Sequence, residues 1–171
     1  MITEIEVAVR YPDCDPMSIV HHAVYPVWYE IARMDYFQKL GFGYSAMHEK
    51  GIDPPMVDLH VQYRSSVTYP GTVTIRTKAT FCAPKKLRLH YETFFRGQLV
   101  NVCDTFHIWT GPDHKSLDLS AALPPEQAGK VLGSIRPRVE LLRTRFIEAK
   151  LPHAFLLDIV LTETAGLEVK P

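Results

Sequence analysis

The sequence predicts an α+β domain in which an antiparallel sheet is packed on one long helix. Three observations predict it: an alternating strand pattern at the N-terminus, an apolar segment at helical spacing from Tyr25 to Leu40, and a run of strand patterns from Met56 to Thr110 with no helix between them.

The first strand spans Ile2 to Arg10, with Ile5, Val7 and Val9 on one face and Glu4, Glu6 and Ala8 on the other. Tyr11-Pro12 ends it, because proline cannot donate to a ladder. In the helix, Tyr29, Ala32, Tyr36 and Leu40 form a stripe that Val27, Ile31 and Met34 widen, so burial by more than one neighbour is expected. Gly41 is the expected stop. Tyr44 to Lys50 reads as a short helical turn or loop, ended by Gly51 and Pro54-Pro55.

The strand patterns that follow are Met56 to Ser65, Thr72 to Cys82, Leu87 to Phe95 and Leu99 to Thr110. Val57, Leu59, Val61 and Tyr63 share a face of the first and are expected inside. Pro84-Lys85-Lys86 turns the chain between the second and third. Gly97-Gln98 reads as a two-residue link of the type II′ class.

Composition narrows the function classes. The chain has 171 residues and a hydrophobic fraction of 46%, ample for a core. Lys plus Arg and Asp plus Glu are 19 each, so no global field invites nucleic acid or an anionic membrane, and phosphate recognition has to be local. Acids near the N-terminus, where a secretory signal has basic residues before an apolar run, and the lack of a membrane-length apolar stretch lead us to expect a cytoplasmic protein. Cys14, Cys82 and Cys103 are odd in number and lack C-x-x-C spacing, which argues against a disulfide framework and a zinc site.

The chemistry concentrates between Arg10 and Arg33. Asp13 and Asp15 follow the first strand, and His21 and His22 precede the helix. A helix start offers backbone N–H groups without intrahelical partners and a partial positive charge, which suits a developing oxyanion. A nearby carboxylate is equipped for attack on a carbonyl, although Asp at such a place also caps turns and helices.

The residues Tyr11, Asp13, Asp15, Pro16, Val20, His22, Tyr25, Tyr29, Glu30 and Arg33 form a pattern that resembles the signature of the 4-hydroxybenzoyl-CoA thioesterase family, whose members have the hotdog fold. Two positions depart from it: Ser18 stands where the family usually has Gly, and Val24 where it has Asn. The resemblance implies that the sheet wraps the long helix and that Asp15 attacks a thioester or deprotonates a water. It also implies that the N–H at His22 or its neighbour stabilises the oxyanion, a contact worth roughly 3 kcal/mol in other enzymes. His22 would orient water or substrate, and Tyr25, Tyr29 and Glu30 would meet the acyl group. Asp13 is expected to be a structural partner in the loop.

Adjacent histidines on regular backbone point apart, so one of His21 and His22 at most is expected to face a site. Asp13, Asp15, His21 and His22 lack metal-ligand spacing, and no metal or separate cofactor is expected, coenzyme A being part of the substrate. Glu30 and Arg33, at i and i+3, are expected to pair. Lys85, Lys86 and Arg88 form the best local cluster for CoA phosphates.

The expected organisation is a thioesterase domain over residues 1–124 and an extension over 125–171 that packs on it or at a subunit interface. Pro125 to Gly133 and Arg138 to Lys150 read as helices, and Phe155 to Leu161 as a strand. The functional expectation is an acyl-CoA thioesterase acting as a dimer or tetramer, with a pocket between subunits. The alternative is a non-catalytic acyl-CoA or small-molecule binding module on the same fold.

Overall fold

A computed structural model of the chain describes residues 1–133. The helix expected over Arg138 to Lys150 and the strand over Phe155 to Leu161 lie outside them. The order of elements is β1 (Ile2–Val9), a single 3-10 turn at Tyr11–Asp13, α1 (Val24–Lys39), α2 (Tyr44–His48), β2 (Met56–Tyr63), β3 (Gly71–Ala83), β4 (Lys86–Phe95), β5 (Gln98–Ile108), α3 (Leu119–Ala122) and α4 (Pro125–Leu132). The strands form one antiparallel sheet in the order β1-β3-β4-β5-β2.

Alternation decides which residues reach the core. Leu87, Leu89, Tyr91, Thr93 and Phe95 of β4 point inward and are buried, while the residues between them are half-exposed. Against this face α1 lays Tyr25, Trp28, Tyr29, Ala32, Tyr36 and Phe37. Gly41, at φ +78°, takes the left-handed conformation that closes the helix, as expected. Within the expected extension, α4 packs Ala128 and Val131 into the same core.

Three expectations are corrected. The β4–β5 link is Arg96-Gly97, not Gly97-Gln98, and its φ values of +51° and +78° are those of a type I′ turn rather than II′. The Phe94↔Leu99 and Phe95↔Gln98 register places Gln98 in the strand. The long helix is covered on one side only: Val27, Ile31 and Met34 are about half exposed. The apolar side chains of β2 are not inside either, since Val57, Leu59 and Tyr63 are exposed on an edge strand that pairs with β5 alone. Alternation reports which residues share a face, but not whether another layer covers it.

Candidate active site

The residues from Asp13 to His21 form a miniature hairpin. The N–H of Asp15 donates to the Ile19 carbonyl at 2.9 Å, that of His21 donates to the Asp13 carbonyl at 2.9 Å, and Cys14 bridges to Val20. Val20 N–H donates to the Val67 carbonyl at 2.8 Å, fastening the hairpin to the segment after β2. Ser18, at the tip, has φ +61°. That is why glycine suits the position, and serine tolerates it at some cost.

The two carboxylates have opposite surroundings. Asp13 is buried and accepts from the Arg10 backbone N–H at 2.8 Å and from Arg10 Nη2 at 2.7 Å. Burial pushes its carboxyl upward, and the Arg10 contacts more than offset this, holding it below the usual carboxylate range. Asp13 is therefore the structural partner expected of it. Asp15 is half-exposed; its Oδ1 accepts the Met17 N–H at 2.8 Å, an Asx turn, and its Oδ2 has no hydrogen bond to any described residue. One oxygen thus performs the turn-capping task and the other is left over.

The helix start lies just beyond. Ala23 N–H donates to His21 Nδ1 at 3.2 Å and Val24 N–H to the His21 carbonyl at 3.0 Å. No described protein group accepts the His22 N–H, so of these amides it is the open one. The His22 carbonyl accepts from Tyr63 Oη at 2.9 Å, which ties the end of β2 to this turn. Tyr63, which the sequence offered only as part of an apolar face, thereby joins the candidate site. Both histidines are exposed, and their rings lie against each other at 4.1 Å rather than pointing apart. The expectation fails because residues 21–22 sit in a turn, neither in strand nor in helix.

The other expected site residues scatter. Tyr25 and Tyr29 are core residues rather than cleft residues: Tyr25 is 2% exposed, and Tyr29 donates from its hydroxyl to Asn101 Oδ1. Burial raises both phenols, Tyr25 to about 12. Glu30 is exposed and forms no ion pair with Arg33, contrary to expectation; Arg33 turns inward, where its Nε donates to Tyr44 Oη at 2.8 Å. Lys85 and Lys86 are exposed at the β3–β4 turn. Arg88 is occupied on the outer face of the sheet, 3.4 Å from Asp104 and stacked over the Phe106 ring.

Beneath α1 lies a buried polar network whose members alternate along β4 and β5. His107 Nδ1 is 3.0 Å from the Pro54 carbonyl; a carbonyl only accepts, so Nδ1 carries the proton. The Nε2 of the neutral ring then accepts from Thr105 Oγ1 at 2.8 Å, and Tyr91 Oη lies 3.3 Å from the same hydroxyl. Burial, followed by the nearby Arg33 charge, lowers the His107 pKa to about 4. The polar alternation Asn101, Thr105, His107 was visible in the sequence as a signal for this network.

Two clefts border the sheet. One, of about 210 Å³, is lined by Ile2, Arg76, Thr77, Lys78, His90 and Glu92; the other, of about 390 Å³, includes Glu30, Arg33, Tyr44, Asp53, Met56 and His114. Neither has Asp15 or His22 in its wall. No group of three or more His, Cys, Asp or Glu placed to hold a metal occurs among the described residues, and none of their helices is long and apolar enough to cross a membrane.

Known proteins share the fold described above. The Thioesterase-like superfamily matches residues 9–131. The putative acyl-CoA thioesterase YneP of Bacillus subtilis is 40% identical over 76 residues, 44% of this chain and 55% of the relative. The chain spans about half the length of the curated relatives it matches. A DHNA-CoA thioesterase from Staphylococcus aureus has 30% identity and a TM-score of 0.73, with 84% of this chain and 94% of that one covered. The 4-hydroxybenzoyl-CoA thioesterase of Pseudomonas sp. strain CBS-3 shares the fold at a TM-score of 0.66 and 20% identity, over 75% of this chain and 98% of that one.

Proposed function

This chain belongs to the Thioesterase-like superfamily and has the hotdog fold, and on that premise we propose that it is an acyl-CoA thioesterase, hydrolysing a thioester to a free acid and CoA. The observation that carries the reading is that the hairpin before α1 presents a half-exposed carboxylate with one oxygen, and the turn into the helix a backbone N–H, that no described residue engages.

In this reading the thioester oxygen accepts from the His22 N–H, and charge gathers there as the carbonyl carbon becomes tetrahedral. Asp15 Oδ2 either removes a proton from the attacking water or attacks the carbon itself to give a mixed anhydride that water then opens. Collapse of the tetrahedral species expels the CoA sulfur, which leaves as the thiol once protonated. The Tyr63 hydrogen bond fixes the turn at His22 and so holds the donor in place before substrate arrives.

The active form in this proposal is at least a dimer. Two features support it: the half-exposed Val27, Ile31 and Met34 stripe on α1, and the edge strand β2 with Val57, Leu59 and Tyr63 exposed. An uncovered apolar edge strand is a template for pairing with another chain. A second copy there also supplies walls that neither cleft of one copy provides around Asp15. Lys85 and Lys86, exposed and without ion pairs among the described residues, are the proposed phosphate contacts, whereas Arg88 is committed to Asp104. The free cysteines Cys14, Cys82 and Cys103 fit a reducing, cytoplasmic setting.

The test is CoA release from a panel of aromatic and aliphatic acyl-CoA thioesters by the full chain. The proposal expects multiple turnover on at least one. Tight binding of acyl-CoA without turnover of any would instead support the non-catalytic binding module.

A further inference from the structure

Arg33 is an anomaly in this core. Its side chain sits inside the fold, 8% exposed, and it forms none of the ion pairs found among the described residues. Its contacts are neutral phenols: Nε donates to Tyr44 Oη, and Tyr91 is its second hydrogen-bonding partner. A guanidinium has five N–H donors and cannot shed its proton, so these contacts supply no counter-charge from among the described residues. A buried charge without a counter-charge is costly, and such groups are normally paired.

The unmatched group faces open space. Arg33 lies in the wall of the cleft of about 390 Å³, together with Tyr44, Thr110 and His114 as further hydrogen-bonding groups, and Pro54, Pro55 and Met56 as an apolar side. Glu30 and Asp53 also line it. Glu30 is exposed to water and Asp53 is half-exposed, 3.8 Å from His48, so solvent screens both carboxylates more than it screens Arg33. The guanidinium is the most buried charged group of this lining, where the effective dielectric is lower.

The cleft also bears a fixed relation to the proposed reaction centre. The end of β2 reaches the helix start through Tyr63 and His22, and its first residue, Met56, lies in the cleft with Arg33. From Val24 to Arg33 the axis of α1 advances roughly 13 Å at 1.5 Å per residue, about the reach of a medium-chain acyl group.

We propose that this cleft receives a carboxylate at the far end of the acyl group, held by the Arg33 guanidinium with Tyr44 and His114 beside it. The preferred substrate is then an ω-carboxyacyl thioester rather than a methyl-ended one. The ligand's identity as an acyl group rests on the thioesterase reading; the carboxylate site itself does not.

The experiment compares kcat/KM for a medium-chain ω-carboxyacyl-CoA and its methyl-ended counterpart. Wild type should favour the former by about tenfold or more, the worth of one charge-assisted hydrogen bond. Arg33→Met should bring the ratio close to one, chiefly through KM. Glu30→Gln, at an exposed position safe for folding, should raise the ratio by removing a negative charge from the rim. A wild-type ratio at or below one, or a ratio that Glu30→Gln lowers, overturns the proposal. If no thioester is turned over, the free dicarboxylic and monocarboxylic acids are titrated against wild type and Glu30→Gln by NMR. Dicarboxylate-selective binding that strengthens in Glu30→Gln then upholds the site while the thioesterase reading fails, and no selective binding overturns both.

Discussion

The hairpin from Asp13 to His22 and the polar lining beneath α1 contain the same kinds of group, carboxylates or histidines among hydroxyls and amides, and treat them in opposite ways. Beneath the helix, each step from Tyr91 through Thr105 and His107 to the Pro54 carbonyl matches a donor with an acceptor, and water is excluded. In the hairpin most backbone groups are matched, but one Asp15 oxygen and the His22 N–H find no partner among the described residues. A satisfied buried network fixes a shape, whereas groups left open on a rigid turn are available to a substrate. Asp13 shows that the difference is local: two residues from Asp15, it belongs to the matched class.

Acid separates the two regions most strongly. The His107 pKa is about 4 in the folded chain against 6.5 in the reference state, so between these values the unfolded chain binds the extra proton. The associated stability is complete above pH 6.5 and is lost as pH falls through 4, up to about 3 kcal/mol from one such group. Unfolding free energies at pH 7 and pH 4.5 should fall more steeply in wild type than in His107→Gln; equal slopes would remove His107 from the matched network. Asp13→Ala should cost about 2 kcal/mol of stability by removing the buried acceptor of the Arg10 bonds, read by denaturant midpoint. A change within 0.5 kcal/mol, roughly the range of surface substitutions, would place Asp13 with the open groups. The smallest effect is at the hairpin tip, where Ser18→Gly should stabilise by up to about 1 kcal/mol through relief of the left-handed conformation. A loss there would mean that the serine side chain supports the loop.

Most of the fold was legible because periodicity records it. The alternation in β4 and the Tyr29, Ala32, Tyr36 spacing in α1 are direct imprints of the shared core. The bareness of β2 was not legible, since Val57 and Leu59 alternate just as a covered strand would. Within the site, the resemblance singled out Asp15 and His22, which neither periodicity nor composition would have marked. The inward turn of Arg33 escaped because helical spacing brings Glu30 and Arg33 within reach without saying which side the core is on. Tyr29 was assigned to substrate for the same reason: an aromatic near a site reads alike whether it lines a pocket or fills the core.

The central claim is that the unengaged oxygen of Asp15 performs the chemistry, and Asp15→Asn tests it most directly. Asparagine keeps an oxygen for the Met17 N–H, so the hairpin and the dissociation constant for a non-hydrolysable thioether analogue of the substrate should be retained. With those two controls in hand, the account predicts that kcat for the best acyl-CoA substrate falls by about 10²- to 10⁴-fold. A kcat within a few-fold of wild type would contradict it.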